Sequence, residues 1–149
     1  MSEHKATVEW KRGNDIFSYE SYSRDHVVRY DNGIQMPGSA APAFRGNPAR
    51  VDPESALVAA LSSCHMLTFL AIAAKKQLVV DTYCDQAVGF LEKNAKGKLA
   101  VTRVILRPKV TFGGTAPPTA EQLGALHERA HAECFIANSV MTEVTVEAG

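Results

Sequence analysis

Two cysteines in this chain have histidine for company. Cys64 lies in Leu61-Ser62-Ser63-Cys64-His65-Met66-Leu67, and Cys134 lies in His131-Ala132-Glu133-Cys134-Phe135-Ile136-Ala137, seventy positions later. A thiol in a tuned environment is a nucleophile, a metal ligand or half of a switchable disulfide. Taken singly, each of these residues also has an inert reading. Free cysteine is a small buried hydrophobe in most proteins, and a lone histidine is usually a satisfied core or surface residue. Two inward cysteines flanked by histidine shift that balance toward chemistry.

The spacing around Cys134 is helical. Leu123, Leu126, Ala130 and Cys134 fall on one apolar stripe at a step of about 100° per residue. His127 shares the stripe and His131 sits at its edge. Cys134 is therefore expected to face inward, with a histidine two turns before it. His127, His131 and Cys134 at i, i+4 and i+7 span an arc of about 60°. With Cys64 or His65 they would make a tetrahedral zinc set, although no CxxC or HxxEH element accompanies them. Cys64 is expected mid-helix, where the helix dipole gives no help and burial alone would leave it inert. A reactive Cys64 then calls for a nearby cation, with Arg24, Arg45, Arg50 and Arg12 as the candidates. Cys84 has no adjacent histidine and reads as a strand residue. No G-x-S-x-G element and no glycine-rich phosphate loop is present.

The elements that must position these thiols follow from local signals. Ala6–Lys11, Ile16–Tyr22, Val27–Tyr30 and Ile34–Met36 read as strands, with Asp31-Asn32-Gly33 as a two-residue hairpin signal. Residues 37–53 read as a loop broken by Pro42, Gly46 and Pro48. Asp52 fits a helix N-cap, Pro53 the first helical position and Glu54 the first turn. That helix is expected to run to Lys75 or Lys76, about 35 Å. Val79–Leu91 and Leu99–Phe112 read as long strands around an Asn94-Ala95-Lys96-Gly97 turn. Thr119 and Gln122 form a capping box for a second helix to about Ile136, ended by Asn138 in a left-handed conformation. Val140–Val146 is the last strand. Many strands with only two helices indicate an α+β fold.

Composition narrows the partners. The 149 residues suit a single domain, 1–149, with no interdomain linker. Sixteen basic and sixteen acidic residues cancel, so no basic face points to nucleic acid, and a net charge near zero favours self-association. Three cysteines make no secreted disulfide framework, and the first ten residues lack a signal-peptide core. A cytoplasmic protein is expected. From Ser55 to Ala74, fifteen of twenty residues are apolar, yet Ser62, Ser63, His65 and Thr68 interrupt the run. A buried core helix is therefore expected rather than a membrane span.

At these residues the sequence resembles the OsmC-like family, which includes the organic hydroperoxide resistance proteins. The likeness rests on Asp52-Pro53-Glu54 with ten residues from Glu54 to Cys64, and on His127-x-x-x-His131-x-x-Cys134. It covers nearly the whole chain. The resemblance implies a tightly intertwined homodimer, with two strongly curved antiparallel sheets around long central helices and active sites at the interface. It implies a thiol peroxidase in which Cys64 is the peroxidatic residue and Cys134 resolves its sulfenic acid to a disulfide. It implies a glutamate, matched by Glu54, orienting an arginine, matched best by Arg24 and next by Arg45. The co-substrates would be an organic hydroperoxide and a dithiol, lipoyl-type or protein reductant, with no bound cofactor or metal. Ten residues of straight helix separate Glu54 from Cys64 by about 15 Å. One arginine head then serves both only if the helix breaks or a second subunit contributes. The chain departs from the family pattern at His65, where members acting on organic hydroperoxides carry an aromatic residue. The alternative from another class is a non-catalytic metal- or small-molecule-binding protein using the same Cys/His pocket.

Overall fold

A computed structural model describes residues 1–13 and 15–149 of the chain. The packing divides them into two compact units, Met1–Ala56 and Leu57–Gly149. The fold is mixed α+β, with sheets and two long helices.

The N-terminal unit holds β1 (Ala6–Glu9), β2 (His26–Tyr30) and β3 (Gln35–Gly38) in an antiparallel sheet in that order. The Asp31–Gly33 hairpin forms as expected but with three loop residues rather than two. Tyr30 N–H donates to the Ile34 carbonyl, the Asn32 side chain accepts from Ile34 N–H, and Gly33 takes φ +85°. A three-residue loop closed by a left-handed glycine is the next most common hairpin solution. The strand expected over Ile16–Tyr22 is absent, and turns stand in its place. Tyr22 N–H donates to the Ser18 carbonyl at 2.9 Å, and Ser21 Oγ donates to the Ile16 carbonyl at 2.6 Å. Such local bonds compete with an extended ladder. Phe17 and Tyr22 pack on one another and on Trp10, at centroid separations of 5.1–6.3 Å.

Helix α1 (Pro53–Lys75) starts and stops where its sequence signals lie. Asp52 accepts from Ser55 N–H at 2.9 Å and from Ser55 Oγ at 2.8 Å, which satisfies one of the orphan donors of the first turn. At the other end Gln77 adopts φ +59°, and Leu78 N–H reaches back to the Ala73 carbonyl at 3.0 Å. This is a Schellman closure with glutamine where glycine is commoner. By length and composition alone α1 is apolar enough to cross a membrane, with a mean hydropathy of 1.9. Its line Leu61, His65, Phe69, Ile72 and Ala73 is buried within the protein.

In the C-terminal unit β4 (Val80–Asp85) pairs antiparallel with β7 (Pro108–Phe112). A second sheet has the order β5 (Val88–Lys93), β6 (Leu99–Leu106), β8 (Glu143–Val146). The two long strands expected from sequence are thus each broken in two, at Gln86-Ala87 and at Arg107. At the breaks Asp85 Oδ1 takes the Arg107 N–H at 2.6 Å, and Pro108 has no N–H to give. The expectation of antiparallel sheets also needs correction, because β6 and β8 run parallel. The chain reaches β8 through β7 and helix α2 (Ala120–Glu133), and parallel neighbours require such a crossover.

Two apolar clusters hold α1 in this unit. Phe69, Ile72 and Ala73 pack with Leu126 and Ala130 of α2. Leu61 packs with Val104 and Leu106 of β6, and with Ile136, Ala137 and Val140 beyond α2. Burying a side chain of this size is worth about 1.5–3 kcal/mol, so Leu61 and Phe69 fix α1 on either side of Cys64 and His65.

Candidate active site

Cys64 occupies the fourth turn of α1 and is partly exposed. Its carbonyl accepts from Thr68 Oγ1 at 2.8 Å. Cys134 is buried, with 1% of its surface accessible. The inward orientation expected for Cys134 is therefore found, but its helical setting is not. The capping box starts α2 as expected, with Gln122 N–H on Thr119 Oγ1 at 3.2 Å and Thr119 N–H on the Gln122 side chain at 2.9 Å. The helix then ends at Glu133 rather than Ile136. Cys134 is its C-cap, with extended backbone at φ −67° and ψ +116°. Asn138 does not take the left-handed position expected of it. It lies in a 3₁₀ turn, Ala137–Ser139, and its side-chain amide donates to the Ala132 carbonyl at 3.0 Å. A side chain thus satisfies one of the orphan carbonyls that a left-handed cap would otherwise serve.

This early ending sets up the thiol chemistry. Leaving the helix frees the N–H groups of Phe135, Ile136 and Ala137 to face sulfur. Ala137 N–H donates to Cys134 Sγ at 3.4 Å. Burial pushes the Cys64 thiol up, but the Ile136 N–H, the Cys134 thiol, the Phe135 N–H and Thr68 together bring it below its ordinary value. Cys134 moves the other way. Burial raises it, Ala137 N–H opposes, and the neighbouring Cys64 raises it further. The structure therefore brings the two sulfurs together and makes them unequal, one favouring the thiolate and its neighbour the thiol. That is the arrangement a nucleophile and its hydrogen-bond donor require.

The other expected site residues lie in the N-terminal unit. Glu54 stands in the first turn of α1. Burial, and next the neighbouring Asp52, raise its carboxyl, and Glu54 Oε2 is buried without a partner. Asp52 falls below its ordinary value although burial opposes this, through hydrogen bonds from Ser55 and from Glu54. The Arg24 guanidinium donates to the Tyr22 and Tyr19 carbonyls and lies 3.6 Å from the Tyr22 ring centroid. Arg45 caps a 3₁₀ turn at φ +62°, with its guanidinium 5.4 Å from the Tyr19 ring centroid. Arg50 pairs with Asp25 at 3.2 Å.

Sequence reasoning missed a contact between the two helices. His65 Nε2 and His127 Nδ1 are 3.1 Å apart, and both residues are buried. His127 also lies 4.5 Å from the Phe69 ring. Burial, and next the neighbouring histidines, push His65 down to about 4, and burial lowers His127 as well. Ser62 Oγ donates to Asp85 at 2.5 Å on the same side of α1. Among the described residues, no three His, Cys, Asp or Glu side chains are grouped to hold a metal ion. The zinc set weighed from spacing is thus not assembled. Cys84 is exposed on β4, opposite Lys109, as its strand position implied.

Residues 46–149 match the OsmC-like protein family model. The chain belongs to the OsmC-like family. An OsmC-like protein of unknown function from Vibrio cholerae is 53% identical over 100% of both chains, with a TM-score of 0.96. An organic hydroperoxide resistance protein from Elizabethkingia anophelis is 19% identical, covering 100% of this chain and 98% of its own, with a TM-score of 0.73. The organic hydroperoxide resistance protein OhrB of Bacillus subtilis is 16% identical, covering 99% and 98%, with a TM-score of 0.72. The last two carry the OsmC-like fold across a wide sequence distance. No curated protein sequence matches the chain.

Proposed function

We propose that this OsmC-like protein is a thiol-dependent hydroperoxide reductase. The observation that carries the reading is the pairing of a lowered Cys64 with a raised, adjacent Cys134. The names of the Elizabethkingia and Bacillus neighbours are consistent with it. The Cys64 thiolate attacks the distal oxygen of ROOH. The O–O bond breaks, Cys64 becomes a sulfenic acid, and RO⁻ takes a proton to leave as the alcohol. The Cys134 sulfur then attacks the Cys64 sulfur. The S–O bond breaks, water leaves, and a Cys64–Cys134 disulfide remains. A dithiol, of lipoyl or protein type, restores both thiols by exchange.

The same reading gives Glu54 the task of orienting an arginine, with Arg24 the first candidate and Arg45 the second. Because α1 is unbroken between Glu54 and Cys64, the arginine serving a given Cys64 is drawn from a second copy of the chain. A homodimer is therefore part of the proposal, as is a cytoplasmic setting that keeps the resting thiols reduced. Phe135, 79% exposed directly beside buried Cys134, supports the view that something covers this surface.

The test is organic hydroperoxide consumption with excess dithiothreitol. Cys64→Ser should lose all turnover. Cys134→Ser should still undergo the first oxidation at Cys64 and form no intramolecular disulfide. Full turnover by Cys64→Ser would overturn the proposal.

A further inference from the structure

The chemistry above leaves the buried histidine pair unused. His65 lies in the middle of the buried line of α1, and His127 faces it from α2, two turns before Cys134. The ring planes are within 8° of parallel and the centroids are 5.4 Å apart. The nearest nitrogens are 3.1 Å apart. The difference leaves one ring radius at each end, so the two nitrogens lie on the line between the centroids. That is the geometry of a single in-plane N–H···N hydrogen bond, which needs one donor and one acceptor nitrogen. A first added proton leaves that bond in place and must sit on an outer nitrogen, and a second removes the acceptor. The outer nitrogens, His65 Nδ1 and His127 Nε2, are buried without partners, as are His131 Nδ1 and the Tyr83 hydroxyl. The titratable groups facing the pair are His131 from α2, and Tyr83 and Asp85 from β4. Asp85 already accepts from Ser62 Oγ and from Arg107 N–H.

We propose that His65 and His127 are positioning residues: their neutral hydrogen bond fastens α2 to α1 and so holds Cys134 against Cys64, and protonation unfastens it. For its consequence this rests on the thiol-pair reading. In mildly acid solution Cys64 would still be oxidised while its capture by Cys134 slows. The Leu61 cluster anchors Ile136 and Ala137 without any titrating group, so the opening is confined to the last two turns of α2. Its size follows from the two protonation equilibria. His65 sits at about 4 when closed and at about 6.5 once water reaches it. Between pH 8 and pH 5 the opening then becomes about 30-fold easier from His65 alone.

Hydrogen exchange read by mass spectrometry tests this on the full-length reduced protein at pH 7.5 and 5.0, with labelling times scaled for intrinsic exchange. Protection of residues 128–134 should fall by about 30-fold at pH 5.0, while β5 and β6 keep theirs. In His65→Leu/His127→Leu, which removes both partners and leaves no orphan between them, the acid loss should vanish. Equal protection at both pH values in the parent, or the same acid loss in the double variant, overturns the proposal. Should the double variant not fold, histidine nitrogen NMR of the parent decides: the pair must titrate over the pH range in which protection is lost, and titration elsewhere overturns it. No peroxide is used, so absence of peroxidase activity and failure of the histidine pair are separate results.

Discussion

Replacing Cys134 by alanine removes a hydrogen-bond donor from the Cys64 thiolate while leaving its backbone donors. Those are the Ile136 and Phe135 N–H groups. A hydrogen bond to a charged group contributes about 1.5–3 kcal/mol, and about 1.4 kcal/mol is tenfold in an ionisation equilibrium. Where Cys64 is mostly thiol, its thiolate fraction should therefore fall by about tenfold. The more basic thiolate is also a better nucleophile, with a Brønsted slope of about 0.4–0.5, which recovers about threefold. Alkylation of Cys64 should be about threefold slower on the acid limb and about threefold faster on the alkaline plateau, so the two pH profiles cross. Cys134→Ser keeps an O–H donor and should track the parent closely. The assay is the rate of iodoacetamide or bimane labelling from pH 5 to pH 10, in a Cys84→Ser background because exposed Cys84 would compete. Identical profiles for the alanine and serine variants, or faster labelling of Cys134→Ala on the acid limb, would refute the reasoning.

Acid should weaken the fold through the histidine pair. His65 is lowered to about 4 from 6.5, so between those values the unfolded chain binds more protons and stability falls as pH drops. The loss from His65 alone is roughly 3 kcal/mol by pH 4. Urea titrations at pH 7 and pH 4.5 read it, and equal midpoints would contradict it. Leu61→Ala empties the cluster that seats Ile136 and should cost about 2–5 kcal/mol, read as a lower unfolding temperature. A loss below 1 kcal/mol would mean that Leu61 does not anchor this segment. Arg24→Ala should slow Cys64 alkylation at neutral pH, and unchanged kinetics would move the role to Arg45.

What the sequence revealed was local. Asp52-Pro53, Thr119 with Gln122, and Asn94 to Gly97 mark their elements because each signal acts within a few residues. Cys64 and Cys134 were identifiable as types and as motif positions. What stayed hidden depended on contacts between distant parts of the chain. The apolar pattern continues through Phe135-Ile136 as a helix would, yet α2 ends early with the Asn138 side chain on the Ala132 carbonyl. The amides that face Cys64 exist because of that ending, so a search for a cation overlooked them. Arg107 and Asp85 meet across 22 positions where two strands break. His65 and His127 are 62 positions apart, and each alone reads as an ordinary core histidine. Periodicity carries no strand direction, so the parallel β6–β8 pair was also invisible.

The central claim is that Cys64 is oxidised first and Cys134 traps it. Mass spectrometry of the reduced Cys84→Ser protein after one equivalent of cumene hydroperoxide tests this directly. The account predicts a loss of two hydrogens, a Cys64–Cys134 crosslinked peptide and full reversal by dithiothreitol. Recovery of both thiols unmodified, or oxidation that stops at Cys64 with Cys134 intact and free, would contradict it.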